Sequence, residues 1–179
     1  MTDIQAFLAG YKPSFLFTPN HDYPHYANSE MEQLNKYPSF NVTMNSRDHL
    51  LYTQTIPQRE NIKTRLETLS PDTYEYEKII GEALGFPPGA VEVYQKIKLL
   101  PVQRVGINYI GINFVTSVEH LTSDVQWLWS TYNNQSDAIV EVFYKPLDEW
   151  FNIQHLDTMA LQRVYSQIHS SSEKEGSVS

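Results

Sequence analysis

Cysteine is absent from this 179-residue chain. Disulfides, thiol nucleophiles and thiolate metal sites are therefore excluded. Small secreted domains often lean on disulfides, so the absence points to a cytoplasmic protein. No apolar run approaches ~18 residues, the length that would let a helix span a membrane. The N-terminus also lacks the basic-then-apolar pattern of a signal peptide. Positive charge is sparse. Lys and Arg number 13 against 21 Asp and Glu, a formal net charge of -8. Phosphate-backbone binding needs concentrated positive charge, so the expectation is no nucleic-acid partner. The phosphate and dinucleotide cradles G-x-x-x-x-G-K-[ST] and G-x-G-x-x-G are missing, as are H-E-x-x-H, the EF-hand loop and the G-x-S-x-G elbow. The sequence thus calls for no cofactor.

What is present is globular in kind. Hydrophobic residues make up 41% and charged residues 19%, too apolar for a disordered chain. Aromatics are plentiful, with 12 Tyr, 8 Phe and 3 Trp. Each ring covers ~150–250 Å², so many must be buried, and Tyr also suits a contact surface that is half apolar and half wet. Domains commonly hold ~100–200 residues, so one domain over 1–169 is expected. Residues 170–179 contain one apolar side chain, Val178, and read as a disordered tail.

Periodicity supplies the elements. Thr2 and Gln5 have capping-box spacing and Gly10 closes that helix; Ser29 and Glu32 repeat the spacing. Phe40, Val42 and Met44 alternate as a strand, Asn45-Ser46-Arg47-Asp48 makes a turn, and Leu50, Tyr52, Gln54 and Ile56 share one face of a second strand. Residues 59–69 and 90–99 fit either helix or strand. Ser70 and Pro71 open a helix in which Tyr76, Ile79, Ile80 and Leu84 form one stripe, ended by Gly85. From Val102 to Thr116 the chain reads as one long strand whose apolar phase switches near Tyr109-Ile110, through a bulge or because both faces are covered. A helix ending near Tyr132, a strand through Val140 and Val142, and a helix capped by Asp157 complete the series. Its last stripe is Leu161, Val164, Tyr165 and Ile168. The predicted fold is α+β, an antiparallel or mixed sheet of about four to six strands with helices on one face.

Candidate chemistry is thin. His21, Asp22 and His25 lie within five residues and are candidate metal ligands for a hydrolytic site, but Pro24 opposes the helix that would align the two imidazoles. His120 with Glu119 and Asp124 has the makings of a base and its carboxylate partner, although acids favour a helix start in any case. His155 with Asp157 is a similar case. Trp127 and Trp129 point about 200° apart on a helix, so they cannot both enter one core. Trp127, Trp129, Trp150 and Tyr132 are the candidate binding residues, since exposed Trp is common at binding hot spots.

The stretch Pro101-Val102-Gln103-Arg104-Val105-Gly106-Ile107-Asn108-Tyr109-Ile110 resembles a box in a sporadically distributed family of uncharacterised bacterial proteins. In that family a helix and a proline precede a strand reading roughly R-[IV]-G-[LI]-R-Y-I-N. Asn108 stands here in place of Arg, and Gly111 in place of Asn; Tyr11-Lys12-Pro13 is similar too. The resemblance implies a bacterial or phage-borne protein and carries over no catalytic residue.

The expected function is a non-enzymatic protein-interaction domain, an inhibitor, immunity-like or assembly factor, using an aromatic, acidic surface and forming a homodimer. The alternatives are a ligand-binding domain with a pocket between sheet and helices, and a metal-assisted hydrolase using the His21–His25 loop.

Overall fold

The computed structural model describes residues 1–19, 26–99, 103–133 and 135–176. Contacts along the chain divide it into two compact units, Met1–Phe86 and Pro87–Ser179, where one domain over 1–169 was expected. Each unit closes its own antiparallel sheet, so the strands do not join into one.

The first unit opens with α1 (Asp3–Leu8). Its capping box is formed as read: Thr2 Oγ1 accepts from the Gln5 amide, and the Thr2 amide donates to Gln5 Oε1. Strand β1 (Ser14–Phe17) and helix α2 (Asn28–Leu34) follow. The α2 cap lies two residues earlier than Ser29 and Glu32 suggest, with the Ala27 amide donating to Glu30 Oε2 at 3.0 Å. Strands β2 (Ser39–Met44) and β3 (Arg47–Thr53) form the expected hairpin. Asn45 and Ser46 both have positive φ, as a two-residue turn matched to sheet twist requires. The second strand stops at Thr53, because Thr55 caps α3 (Ile56–Leu66) and Pro57 sits in its first turn. Residues 59–66 are therefore helical, and Ile56 is exposed.

Helix α4 (Tyr74–Ala83) begins three residues after Pro71, with Thr73 at the N-cap. Its stripe of Tyr76, Ile79, Ile80 and Leu84 is buried as predicted. Its end is closed by Gly85 at φ +79, with bonds from Phe86 N to Gly81 O and from Gly85 N to Glu82 O. The sheet order is β1-β3-β2, and both faces are covered. Val42, Met44 and Leu51 pack with α3 and α4; Phe15, Phe17 and Tyr52 pack with Ile4, Phe7 and Leu34. Neighbouring positions of β1 and β3 are both apolar, so helices are needed on each side.

The second unit contains α5 (Pro88–Leu99), β4 (Arg104–Tyr109), β5 (Ile112–Ser117), α6 (Leu121–Thr131), β6 (Ile139–Tyr144), β7 (Glu149–Gln154) and α7 (Thr158–Gly176). Residues 90–99 are thus helical. The stretch read as one long strand is two. Ile110 and Gly111 both have positive φ and reverse the chain into a hairpin that pairs Tyr109 with Ile112 and Ile107 with Phe114. That reversal, and not a bulge, produces the phase switch: Val105, Ile107, Tyr109, Ile112 and Phe114 all enter one core. The Arg104–Tyr109 part of the resemblance box is β4; Pro101 and Val102 lie outside the described residues.

The second sheet runs β5-β4-β6-β7. Its inner face buries Val140, Val142, Tyr144, Phe151 and Ile153 with Leu121, Val125, Leu128, Leu161 and Ile168 from the helices. Residues 170–176, expected to be a disordered tail, continue α7. A helix already nucleated by buried Leu161 and Ile168 propagates at little cost, and the Ser170, Ser171 and Ser172 hydroxyls donate to the carbonyls of Ser166, Gln167 and His169.

Candidate interaction surface

The candidate binding residues fall into two places. Trp127, Trp129 and Tyr132 join a chain of rings at one end of the second sheet, linked through two residues the sequence reading did not connect with them, Tyr109 and His155. Trp127 and Tyr132 meet edge to face, 6.1 Å between ring centres. Tyr132 lies 6.4 Å from Tyr109, Tyr109 stacks on His155 at 6.5 Å, and His155 meets Trp129 at 6.1 Å. The Tyr109 hydroxyl and His155 Nδ1 are 3.0 Å apart. Burial raises both phenols above their ordinary pKa, Tyr132 to about 12, so both keep their protons at neutral pH. Trp129 is only 2% exposed and Trp127 is half-buried. The divergence of the two indoles is thus met by burying one and leaving the other part-covered. The cluster braces the sheet end through contacts among residues 109, 127–132 and 155. Its signal in the sequence was only the aromatic content of each segment.

Trp150 is elsewhere. It stands on the outward face of β7 and is 62% exposed. Its ring lies against Phe143 at 4.9 Å, tilted by 34°. Register extends this pair across the sheet: Trp150 opposes Phe143, Phe143 opposes Gly106, and Gly106 opposes Val115. Val115 is itself 45% exposed. The row therefore places three apolar side chains on the side away from the helices, with Gly106 between Val115 and Phe143. The neighbouring row is polar: Asn113, Asn108, Glu141 and Asn152, with Asn108 Nδ2 donating to Glu141 Oε2. Strand β7 was not foreseen, and Phe143 was overlooked because the inward set of Val140, Val142 and Tyr144 dominated the pattern. The apolar residues Ile139 and Phe143 in the opposite phase were the available signal.

No family model, curated protein or solved structure matches the chain.

The histidine candidates resolve locally. Ser117 Oγ lies 2.8 Å from His120 Nδ1 and also accepts the His120 amide. This is the cap of a short 3-10 turn, Val118–His120, that precedes α6. Asp124 is buried and faces other partners. Its carboxylate accepts from the Thr116 hydroxyl at 2.6 Å and the Gly89 amide at 3.1 Å, holding the start of α5. Burial raises its pKa, opposed by the Thr116 hydrogen bond and by His120. Asp157 accepts the Ala160 amide and caps α7, as read. His49 lies 2.9 Å from the Thr18 hydroxyl through Nδ1 and 3.3 Å from the Met44 carbonyl through Nε2. His21, Asp22 and His25 lie outside the described residues; among the described residues no group of three His, Asp or Glu side chains is placed to hold a metal ion. No described helix is long and apolar enough to cross a membrane.

Proposed function

We propose that the chain is a protein-binding module, of the inhibitor, immunity or assembly-factor kind, that engages its partner through the outward face of the β5-β4-β6-β7 sheet with Trp150 as anchor. The observation that carries this reading is Trp150, 62% exposed and braced by Phe143. A tryptophan left in water forgoes the burial of a large apolar ring, and Trp is enriched among residues that dominate interface energies. The ring is also pre-organised, because Phe143 limits where it can turn, so little freedom is lost on docking. The adjoining Asn and Glu row supplies a polar rim. The net charge of -8 favours a basic partner surface.

A photo-crosslinking residue placed at Asn152, which shares the outward face of β7 and leaves Trp150 in place, with a second placed at the exposed Met159 of α7 as control, tests the reading. The expected result is one adduct from position 152 and none from 159. Excess wild-type chain should compete it away, and excess Trp150→Ala chain should not. Equal labelling from both positions, or equal competition by both chains, would overturn it.

Self-association through the same face is the second reading. The Val115–Phe143–Trp150 row is continuous across the strands, and a two-fold pairing would bury each Trp150 against its copy. Light scattering distinguishes the two: a mass near 20.8 kDa at all concentrations excludes the dimer and leaves the hetero-partner reading.

A further inference from the structure

The first unit carries a second surface, and it is an open strand edge. Strand β2 is the last in the order β1-β3-β2, so among the described residues one side of its backbone has no strand beside it. Which residues present that side follows from two observations. The Thr43 amide donates to the Tyr76 hydroxyl at 3.2 Å and not to β3. One residue pair beyond the other end of the strand, the Pro38 carbonyl accepts from the Thr53 amide at 2.9 Å. Backbone groups alternate in direction along an antiparallel strand. Ser39, Asn41 and Thr43 therefore point their N–H and C=O outward, and Pro38, Phe40 and Val42 point theirs toward β3.

Part of this edge is covered. Tyr76 takes the Thr43 amide, and the Asp72 carboxylate accepts the amides of Asn45 at 2.6 Å and Ser46 at 3.3 Å. Natural edge strands are commonly shielded in this way. Among the described residues the shielding stops short of Ser39 and Asn41. Beside Asn41 lies an open groove of about 400 Å³, walled by Phe40 and Asn41 on one side and by Glu60, Lys63 and Glu67 of α3 and its C-cap on the other. Its apolar floor includes Leu66, which is buried in the adjoining core.

We infer that this groove binds an extended peptide segment that adds to the edge of β2 and places a Lys or Arg side chain against α3. A strand rises ~3.3 Å per residue, so Ser39–Asn41 offers backbone partners to about three residues of peptide. The charge preference follows from the wall. Glu60 is engaged by Arg59 at 2.6 Å and by Lys63 at 4.0 Å. Glu67 is exposed and has no ion-pair partner among the described residues, so a basic side chain meets an available carboxylate. Phe40, half-buried beside it, is suited to an apolar residue of the same segment.

Selection of a phage-displayed random dodecapeptide library on the immobilised full chain tests this. Enriched peptides should carry a Lys or Arg, and binding should slow hydrogen exchange at the Asn41 amide. Asn41→Pro removes that donor at an edge position where proline is tolerated, and should weaken the enriched peptides about tenfold, the equivalent of roughly one backbone hydrogen bond. Glu67→Lys, an exposed change, should shift the selected charge from basic to acidic and keeps the test decisive if Asn41→Pro does not fold. Peptides selected on Trp150→Ala chain should be the same, which separates this site from the outward face of the second sheet. Absence of enrichment, enriched peptides indifferent to Glu67→Lys, or protection at β7 in place of Asn41 would overturn the inference.

Discussion

Gly89 and Asp124 occupy one space: the Asp124 carboxylate accepts the Gly89 amide at 3.1 Å, and a Cβ at position 89 would collide with that same carboxylate and lie 2.9 Å from His120 Cβ. The close approach lets an acid on α6 hold the first turn of α5. Gly89→Ala improves helix propensity by up to ~1 kcal/mol, but the added methyl must displace a buried carboxylate. A net loss of about 1–3 kcal/mol is expected, as for an overpacked core. Gly106→Ala is the contrasting change, since its Cβ would make ordinary contact with Phe143 at 3.7 Å. Urea midpoints should fall for the first variant and stay near wild type for the second; equal midpoints would disprove the collision.

The same carboxylate sets a pH dependence. Burial raises the Asp124 pKa above its ordinary 3.8, so the folded state holds this proton more tightly than the unfolded state does. Its contribution to stability is therefore full below pH 3.8 and is lost as pH rises through the raised value. Asp124→Asn retains an acceptor for the Gly89 amide and has no proton to lose. Urea midpoints of the two proteins, followed upward from pH 4, should diverge in favour of Asp124→Asn. A constant difference between them would show that the carboxylate does not titrate in that window.

Local signals were legible where chemistry and periodicity agreed. Thr2 with Gln5, the stripe Tyr76–Ile79–Ile80–Leu84, the stripe Leu161–Val164–Ile168 and the Phe40–Tyr52 hairpin all needed only neighbours in sequence. Features that depend on distant partners were not legible. The ring chain joins residues 109, 132 and 155, and nothing in any one segment names the others. Strand β7 has only two inward apolar residues, Phe151 and Ile153, too short a run to separate from loop. The division at Phe86–Pro87 carries a proline pair that reads equally well as a corner within one domain. The open edge of β2 could not be read at all, because strand order is a property of the assembled sheet.

Ile80 measures the core of the first unit. It is fully buried among Val42, Leu51, Ile62 and Leu66. Ile80→Ala leaves a cavity that the α3 and α4 contacts cannot close, and should cost about 2–5 kcal/mol. Chemical denaturation with a probe in each unit also reports cooperativity. Loss confined to a first-unit probe would show that the two units unfold separately, and an unchanged midpoint in both would refute the packing.

Ile110 is the residue least suited to its place. The turn from β4 to β5 holds it at φ +48 and Gly111 at φ +82. Gly111 meets that demand without strain. A β-branched residue in the left-handed region is disfavoured by roughly 1–2 kcal/mol. The corresponding turn of the first unit has Asn45 at its first position, at φ +50, and Asn-Gly is the preferred pair for this turn type. Ile110 is only half-buried, so its side chain recovers part of the strain but less than the ~1.5–3 kcal/mol of complete burial. Ile110→Asn should therefore raise stability by about 0.5–1 kcal/mol, read as a higher urea midpoint with an unchanged slope. A lower midpoint would mean that contacts of the isoleucine side chain outweigh the backbone, and the position would then belong to the core of the second unit and not to its turn.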